Sequence, residues 1–496
     1  MVVQKGINEG RFIVTAIAAC AVSVLVIMIS KSSLESNLEI ALGSFLSTLV
    51  AFRWFWSTRY SWGNYIISVR PLFQTVSYIF LIIGPLPALA GVNRFLYFPG
   101  ATDYYWYLYL AAPLAFIFYE LGFERALVKM TKDLHPLWLK TLTTNSNLII
   151  IPLYVFIILF FRHFSSKYGI NTGGLSAAAT KEGLTVKVFY YLFNGFFGVC
   201  LFLIAAKWSN RDLGKKALFL IMGLTLFAIL ALSSSRTNSV IICMMVLAAF
   251  QLSKDNNLYK YLKYIIIIPI LFILTTAIRQ GSNVYSNTEA MSVNTKINNA
   301  ELAVESGEAQ ERTKESLIAD FGYRMNGIDW AGAMIQSHYR FGTPFMYGYY
   351  FLWGVYQSVP EVFLPFQKTD SGVNAHFILH QVDPNGTIFG WIIADGGILG
   401  VIIGYFAIGF FHGSLWGYAA SPKTPQSVKL GYLALIPALM LYQVSLGEYI
   451  FENIRNGILF ALLFWILITG VRLFLPPTRY KRIFINNQLL GTKPGD

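Results

Sequence analysis

The stretch Ile388-Phe-Gly-Trp-Ile-Ile-Ala-Asp-Gly-Gly-Ile-Leu-Gly-Val-Ile-Ile-Gly-Tyr-Phe-Ala-Ile-Gly-Phe-Phe411 decides the fold. Asp395 is its one charged residue, and as a helix it is long enough to cross a hydrocarbon core of roughly 30 Å, which takes ~20 residues. Working outward, most of the chain repeats this pattern. Twelve segments meet the standard, near 12–30, 37–52, 72–92, 104–123, 147–161, 187–206, 216–232, 238–253, 262–278, 388–411, 430–447 and 456–475. The composition agrees: 55% of residues are hydrophobic, 16% aromatic and 13% charged, where a soluble domain carries about a quarter charged residues. The fold expected is an all-α polytopic membrane protein.

The net charge of +13 would point to nucleic acid in a soluble domain. No basic run here is dense enough for that, and the excess is read as topological, because cytoplasmic connections of membrane proteins collect Lys and Arg. With a cytoplasmic N-terminus and twelve spans, the inside connections gather Arg53, Arg59 and Arg70, the Arg125 to Lys140 group, Lys207 to Lys216, and the basic tail 476–496. Counting 346–363 as a thirteenth span would put that tail outside, so this aromatic segment is read as interfacial or re-entrant. Cys20, Cys200 and Cys243 lie inside apolar runs without metal-type spacing and are read as packing residues. No metal or cofactor site is expected.

The chain then divides into spans one to nine (1–278), one large outside loop (279–387), spans ten to twelve (388–475) and the tail. Within the loop, 281–316 is rich in Ser, Asn, Thr and Glu and is expected to lack rigid structure. Leu317, Phe321, Met325, Ile328 and Met334 recur at helical spacing, which predicts an amphipathic helix over 317–336 near the membrane surface.

Candidate chemistry follows from where polar groups sit. Arg236, in a very short outside turn, and Arg279, at the end of a span on the same side, offer planar guanidinium forks suited to a diphosphate. Asp395, two turns into a span, is a functional candidate by its depth, the alternative being a pairing that fixes helix packing. His338, His376 and His380 are candidate bases near neutrality. Arg162, Arg324, Arg340, Asp383, Asn385, Glu448 and Arg455 are candidate binding groups, the last two as walls of the turn between the final spans. Tyr350 and Trp353 lie with neighbouring tyrosines in the aromatic run within 346–363.

Two stretches resemble the bacterial oligosaccharide repeat-unit polymerases, the Wzy-type O-antigen and exopolysaccharide polymerases. Ser234-Ser-Arg-Thr-Asn238 is similar to the family's Ser-Arg-Thr-type motif. Asn385-Gly-Thr-Ile-Phe-Gly-Trp-Ile-Ile-Ala-Asp-Gly-Gly-Ile-Leu-Gly400 is similar to its Asn…Asp-x-Gly-x-x-Gly motif. Arg162 with Gly173 matches a spacing found in some members. The resemblance implies a GT-C-like membrane glycosyltransferase of the inner membrane, with cytoplasmic termini and a periplasmic site containing amphipathic or re-entrant helices. Its substrates would be undecaprenyl-diphosphate-linked glycans, and a flippase and a chain-length regulator are implied partners. An O-antigen ligase and a lipid-linked oligosaccharide flippase are the alternatives. Gly386-Thr387 stands where ligases place a His-polar dipeptide, and no duplicated half supports a transporter.

Overall fold

The computed structural model describes residues 2–30, 34–53, 56, 67–91, 100–130, 147–168, 184–208, 216–233, 236–253, 326–342, 344–359, 387–421, 423–440 and 446–474. Among these, helix is the only regular structure. In chain order the α-helices are α1 (Val2–Ile29), α2 (Leu34–Ala51), α3 (Arg70–Tyr78), α4 (Leu86–Leu89), α5 (Tyr105–Met130), α6 (Asn147–Tyr168), α7 (Leu184–Trp208), α8 (Lys216–Ser233), α9 (Arg236–Ser253), α10 (Asp329–Phe341), α11 (Tyr349–Ser358), α12 (Ile388–Ala420), α13 (Gln426–Leu439) and α14 (Leu446–Phe474).

Among the described residues, five stretches are long and apolar enough to cross a membrane: Glu9–Ile29, Arg70–Leu89, Ala101–Leu127, Ile388–Ala420 and Leu446–Gly470. Three shorter apolar helices, Ile149–His163, Leu192–Lys207 and Ala217–Ile229, accompany them. Helix α1 leaves Ile13, Val14, Ile17 and Met28 exposed, an outer face suited to lipid rather than water. The chain is therefore a helical membrane protein.

Helix α12 packs along α5 as the central pair, with α2 beside α5 and α13 beside α14. Small residues set how closely the central pair approaches. A Cβ at Gly409 would lie 2.0 Å from the Tyr119 carbonyl oxygen, and one at Gly122 would lie 2.2 Å from that of Phe406. The two backbones touch in a way that any side chain there would prevent.

The third expected span is present as Arg70–Leu89, and it contains a π-type turn over Ile79–Ile83 whose freed carbonyl is used. Gly84 donates to the Ile79 carbonyl at 2.7 Å, one residue further back than in an α-helix, and Pro85 has no amide to offer. The Phe80 carbonyl is thereby left without a helical donor, and the amide of Gly327 takes it at 3.1 Å. The neighbouring Ile82 carbonyl accepts from the Tyr109 hydroxyl at 2.9 Å. A kink in one helix thus becomes the anchor for a segment about 250 residues later.

The same segment is fixed twice more. Asn326 Nδ2 donates to the Tyr105 hydroxyl at 2.9 Å, and that hydroxyl donates to Asp329 Oδ1 at 3.2 Å. The Thr387 hydroxyl donates to the Gly327 carbonyl at 2.8 Å. The amphipathic helix expected over 317–336 is thus a different object in its described part. Helix α10 starts at Asp329 and runs to Phe341, so His338 and Arg340 lie on it rather than beyond it. Its Trp330, Ala331, Ala333, Met334 and Ile335 are buried against α12 and the 3-10 turn Ala101–Tyr104. Residues 317–325 of that expectation lie outside the described residues.

Candidate functional site

Helix α12 does not run straight through its glycines. Gly396 (φ −155°, ψ 20°) and Gly397 (φ 55°, ψ −138°) leave helical geometry, and the positive φ at Gly397 is one that favours glycine. A Cβ there would also meet the Phe345 ring at 3.1 Å and the Tyr107 hydroxyl at 3.4 Å. A break in a helix frees carbonyl groups, and inside a membrane protein these need donors.

The donors come from residues 344–348, which cross the break. Met346 donates to the Ala394 carbonyl at 2.9 Å and Tyr347 to that of Asp395 at 2.7 Å. The side chain of Asp395 completes the join. One carboxylate oxygen accepts from the Tyr350 amide at 2.8 Å and the other from the Phe351 amide at 2.9 Å. These are first-turn amides of α11, which begins at Tyr349 without a capping side chain of its own. Asp395 therefore caps α11 from another helix, placing a negative charge where the helix dipole is positive.

The other end of α11 is held by the opposite charge. Arg455 Nη1 donates to the Ser358 carbonyl at 3.0 Å, and its Nη2 pairs with Glu452 at 2.7 Å. Gly447 on α14 permits this docking, since a Cβ there would lie 2.0 Å from the Phe351 carbonyl. Residues 344–358 form a strap over the break in α12, fastened by an acid at one end and an arginine at the other. Glu448, Glu452 and Arg455, expected to cap a turn between spans, instead occupy the opening turns of α14.

Under the strap lies an aromatic cluster of Trp330, Trp391 and Tyr350 with Met334, Ala394 and partly buried Met346. Gly390 leaves room for it, because a Cβ at that position would sit 2.5 Å from the Trp330 ring. Thr387 starts α12 next to it, its hydroxyl accepting from the Gly390 amide at 3.2 Å. His338 stacks on Phe345 with ring centroids 4.2 Å apart and an interplanar angle of 25°. Phe345 in turn covers Gly397.

The structure thus gathers Asp395, Tyr350, Trp353, Arg455 and, through Phe345, His338. Arg340 is directed elsewhere, to Asp103 at 3.3 Å on an exposed surface. Arg162 lies exposed on α6. Glu448 is half-buried at the start of α14, close to the strap's landing site. Arg236 begins α9, its side chain lying outside the described residues, as do Arg279, Arg324, His376, His380, Asp383 and Asn385.

A second polar array was not singled out from the sequence. Arg70 and Glu120, 3% and 1% exposed, form a two-pronged ion pair. Gln74 joins Glu120, Glu124 adds a contact to Arg70 at 2.9 Å, and the guanidinium lies 5.1 Å from the Phe123 ring centroid. Beside it, His412 Nδ1 meets the Tyr119 hydroxyl at 2.9 Å and Nε2 meets that of Tyr449 at 2.8 Å. Tyr449 donates its proton to the Leu439 carbonyl, so it must accept from Nε2–H, and Tyr119 must donate to Nδ1. The tautomer of His412 is fixed by its neighbours. Arg70 was counted as a charge in a cytoplasmic connection. It is a buried member of α3, and Glu120 inside the run 104–123, with Glu124 and His412 directly at the ends of two such runs, was the signal available for this array.

Comparison with protein families, curated proteins and solved structures gives no match to this chain.

Proposed function

We propose that this protein is a bacterial inner-membrane glycosyltransferase of the repeat-unit polymerase type, working at the periplasmic face through a twelve-span fold with cytoplasmic termini. The observation that carries the reading is the polar break at Asp395-Gly396-Gly397. The stretch that resembles the polymerase motif is the stretch where a membrane helix opens, and a segment of the long loop docks on it through Asp395. Irregular backbone at membrane depth is tolerated where protein covers it or a water-filled cavity meets it, and an intramembrane acid is a functional group by default.

The reaction is transfer of a growing glycan from undecaprenyl diphosphate to the non-reducing end of a new lipid-linked unit. The acceptor hydroxyl oxygen forms a bond to the anomeric carbon, the bond from that carbon to the diphosphate oxygen breaks, and the diphosphate leaves with the electron pair. The acceptor proton passes to a base, for which His338, His376 and His380 are the candidates. Arg236 and Arg279 neutralise charge developing on the diphosphate. Tyr350 and Trp353 on the strap, with Arg455 and Glu448 beneath it, belong to the glycan side. Lipid tails reach the site between helices, so the whole reaction proceeds at the membrane surface.

The test is chain extension by membranes carrying Arg236→Ala or Arg279→Ala, supplied with the lipid-linked repeat unit and resolved as a ladder. Loss of everything beyond the single unit, at wild-type protein level, is expected for each. Wild-type ladders from both variants would overturn the diphosphate clamp.

A further inference from the structure

Trp330 of α10 and Tyr350 of α11 both pack on Trp391 of α12, with ring centroids 4.6 Å and 4.4 Å from it. They are 2% and 1% exposed. Yet neither Trp330 Nε1 nor the Tyr350 hydroxyl has a hydrogen-bond partner among the described residues, and the indole nitrogen of Trp353, on the same strap, has none either. An indole N–H only donates, and leaving a buried donor without an acceptor destabilises the fold. Burial, with the Asp395 carboxylate as a second cause, pushes the Tyr350 phenol well above its ordinary range, so it stays a donor. A phenylalanine would fill the same place without that cost. Two buried orphan donors within one cluster, Trp330 Nε1 and the Tyr350 hydroxyl, point to an acceptor that belongs there.

The part of the cluster that can move is the strap. Helix α11 is held over Trp391 by Asp395 and Arg455 at its ends and along its body by the close approach of α14 at Gly447. The turn leading into it carries strain, because Tyr347 adopts φ 48°, a left-handed conformation disfavoured for a residue with a side chain. Its ring gains no packing in return, being 82% exposed. Gly348, at φ 89°, supplies a hinge next to it. Strain in the turn and orphan donors beneath it together describe a closed state that carries an internal cost.

We propose that Trp391, Trp330 and Tyr350 are the walls of a sugar-ring site, closed here by the strap, which lifts about Gly348 to admit a pyranose. The sugar's C–H face stacks on the indole of Trp391, and its hydroxyl or ring oxygens accept from Trp330 Nε1 and the Tyr350 hydroxyl. The ligand class rests on the glycan-transfer reading above, while the orphan donors and the strap stand independently of it. Lifting the strap also releases the Asp395 carboxylate from the Tyr350 and Phe351 amides, so sugar binding and exposure of that acid are one event.

The experiment uses full-length protein in lipid nanodiscs, as wild type, Trp330→Phe and Tyr350→Phe, each substitution removing one orphan donor and keeping an aromatic ring. The probe is the repeat-unit oligosaccharide released from the host's own surface polysaccharide. Without probe, Tyr350→Phe raises the exchange protection of the 346–351 amides roughly fivefold, by relieving an unmade hydrogen bond in the closed state. With probe, the wild type binds with loss of that protection; Trp330→Phe binds about fivefold more weakly for one lost hydrogen bond, and Tyr350→Phe roughly 25-fold more weakly, because its steadier closed state adds to the lost bond. Unchanged affinity in both variants, a wild type that does not bind, or lower protection in Tyr350→Phe overturns the site. Because the readout is binding, a wild type that binds the probe but forms no polymer removes the polymerase reading and leaves this one standing.

Discussion

Replacing Asp395 by asparagine tests the join between the broken helix and the strap. The two carboxylate oxygens take the amides of Tyr350 and Phe351 at 2.8 and 2.9 Å, and a hydrogen bond to a charged group is worth ~1.5–3 kcal/mol. Asparagine keeps one acceptor oxygen and turns an NH₂ toward the second amide, so one charge-assisted bond is lost and the other becomes neutral. The charge opposite the helix dipole, worth ~0.3–1 kcal/mol, goes as well. The backbone bonds from Met346 and Tyr347 remain. The expected cost to strap docking is about 2 kcal/mol, roughly a thirtyfold rise in its opening at tenfold per 1.4 kcal/mol. Hydrogen exchange of peptides covering 346–358 reads this opening directly, with the body of α14 as an internal control. Protection within about twofold of wild type would show that the carboxylate does not hold the strap, and the case for a join at Asp395 would fall.

Two further outcomes follow from the core. Arg70→Ala leaves Glu120 buried beside Gln74 with its cation gone, at ~3–5 kcal/mol, and the thermal midpoint in detergent should fall accordingly. An Arg70→Met, Glu120→Met pair should recover most of the loss, and failure to recover would mean that the pair does more than neutralise itself. Gly409→Val drives a side chain into the Tyr119 carbonyl and should lose folded protein in fluorescence-detected size exclusion, since overpacking costs ~1–3 kcal/mol even where backbone is not the obstacle. Normal yield and midpoint would mean that the α5–α12 approach is not tightly set.

What the sequence carried and what it did not divide along physical lines. Hydropathy reports burial in lipid, so the runs that became α1, α5, α12 and α14 were legible, and Asp395 stood out because a charge in such a run is costly. Its partner was not legible. Aspartate caps are usually local, whereas this one reaches the start of a helix 45 residues earlier in the chain, and only tertiary structure brings the two together. Arg70 was misplaced for a related reason. Counting charge by segment treats a residue at a span's edge as part of the connection, while Glu120 drew it into the interior. The run near 72–92 was legible as a span, whereas hydropathy is blind to Pro85 and to the shifted bond at Gly84 within it. Helix α14 begins ten residues before the expected span because Glu448, Glu452 and Arg455 lower its hydropathy without interrupting its backbone.

Whether this protein extends a lipid-linked glycan is read from the surface-polysaccharide profile of the host with the gene deleted and then restored. Deletion should leave single repeat units attached to the surface acceptor, and restoration should return a full ladder. Long lipid-linked chains with nothing attached would make the protein a ligase, repeat units trapped inside the cell would make it a flippase, and an unchanged ladder would contradict the glycan reading altogether.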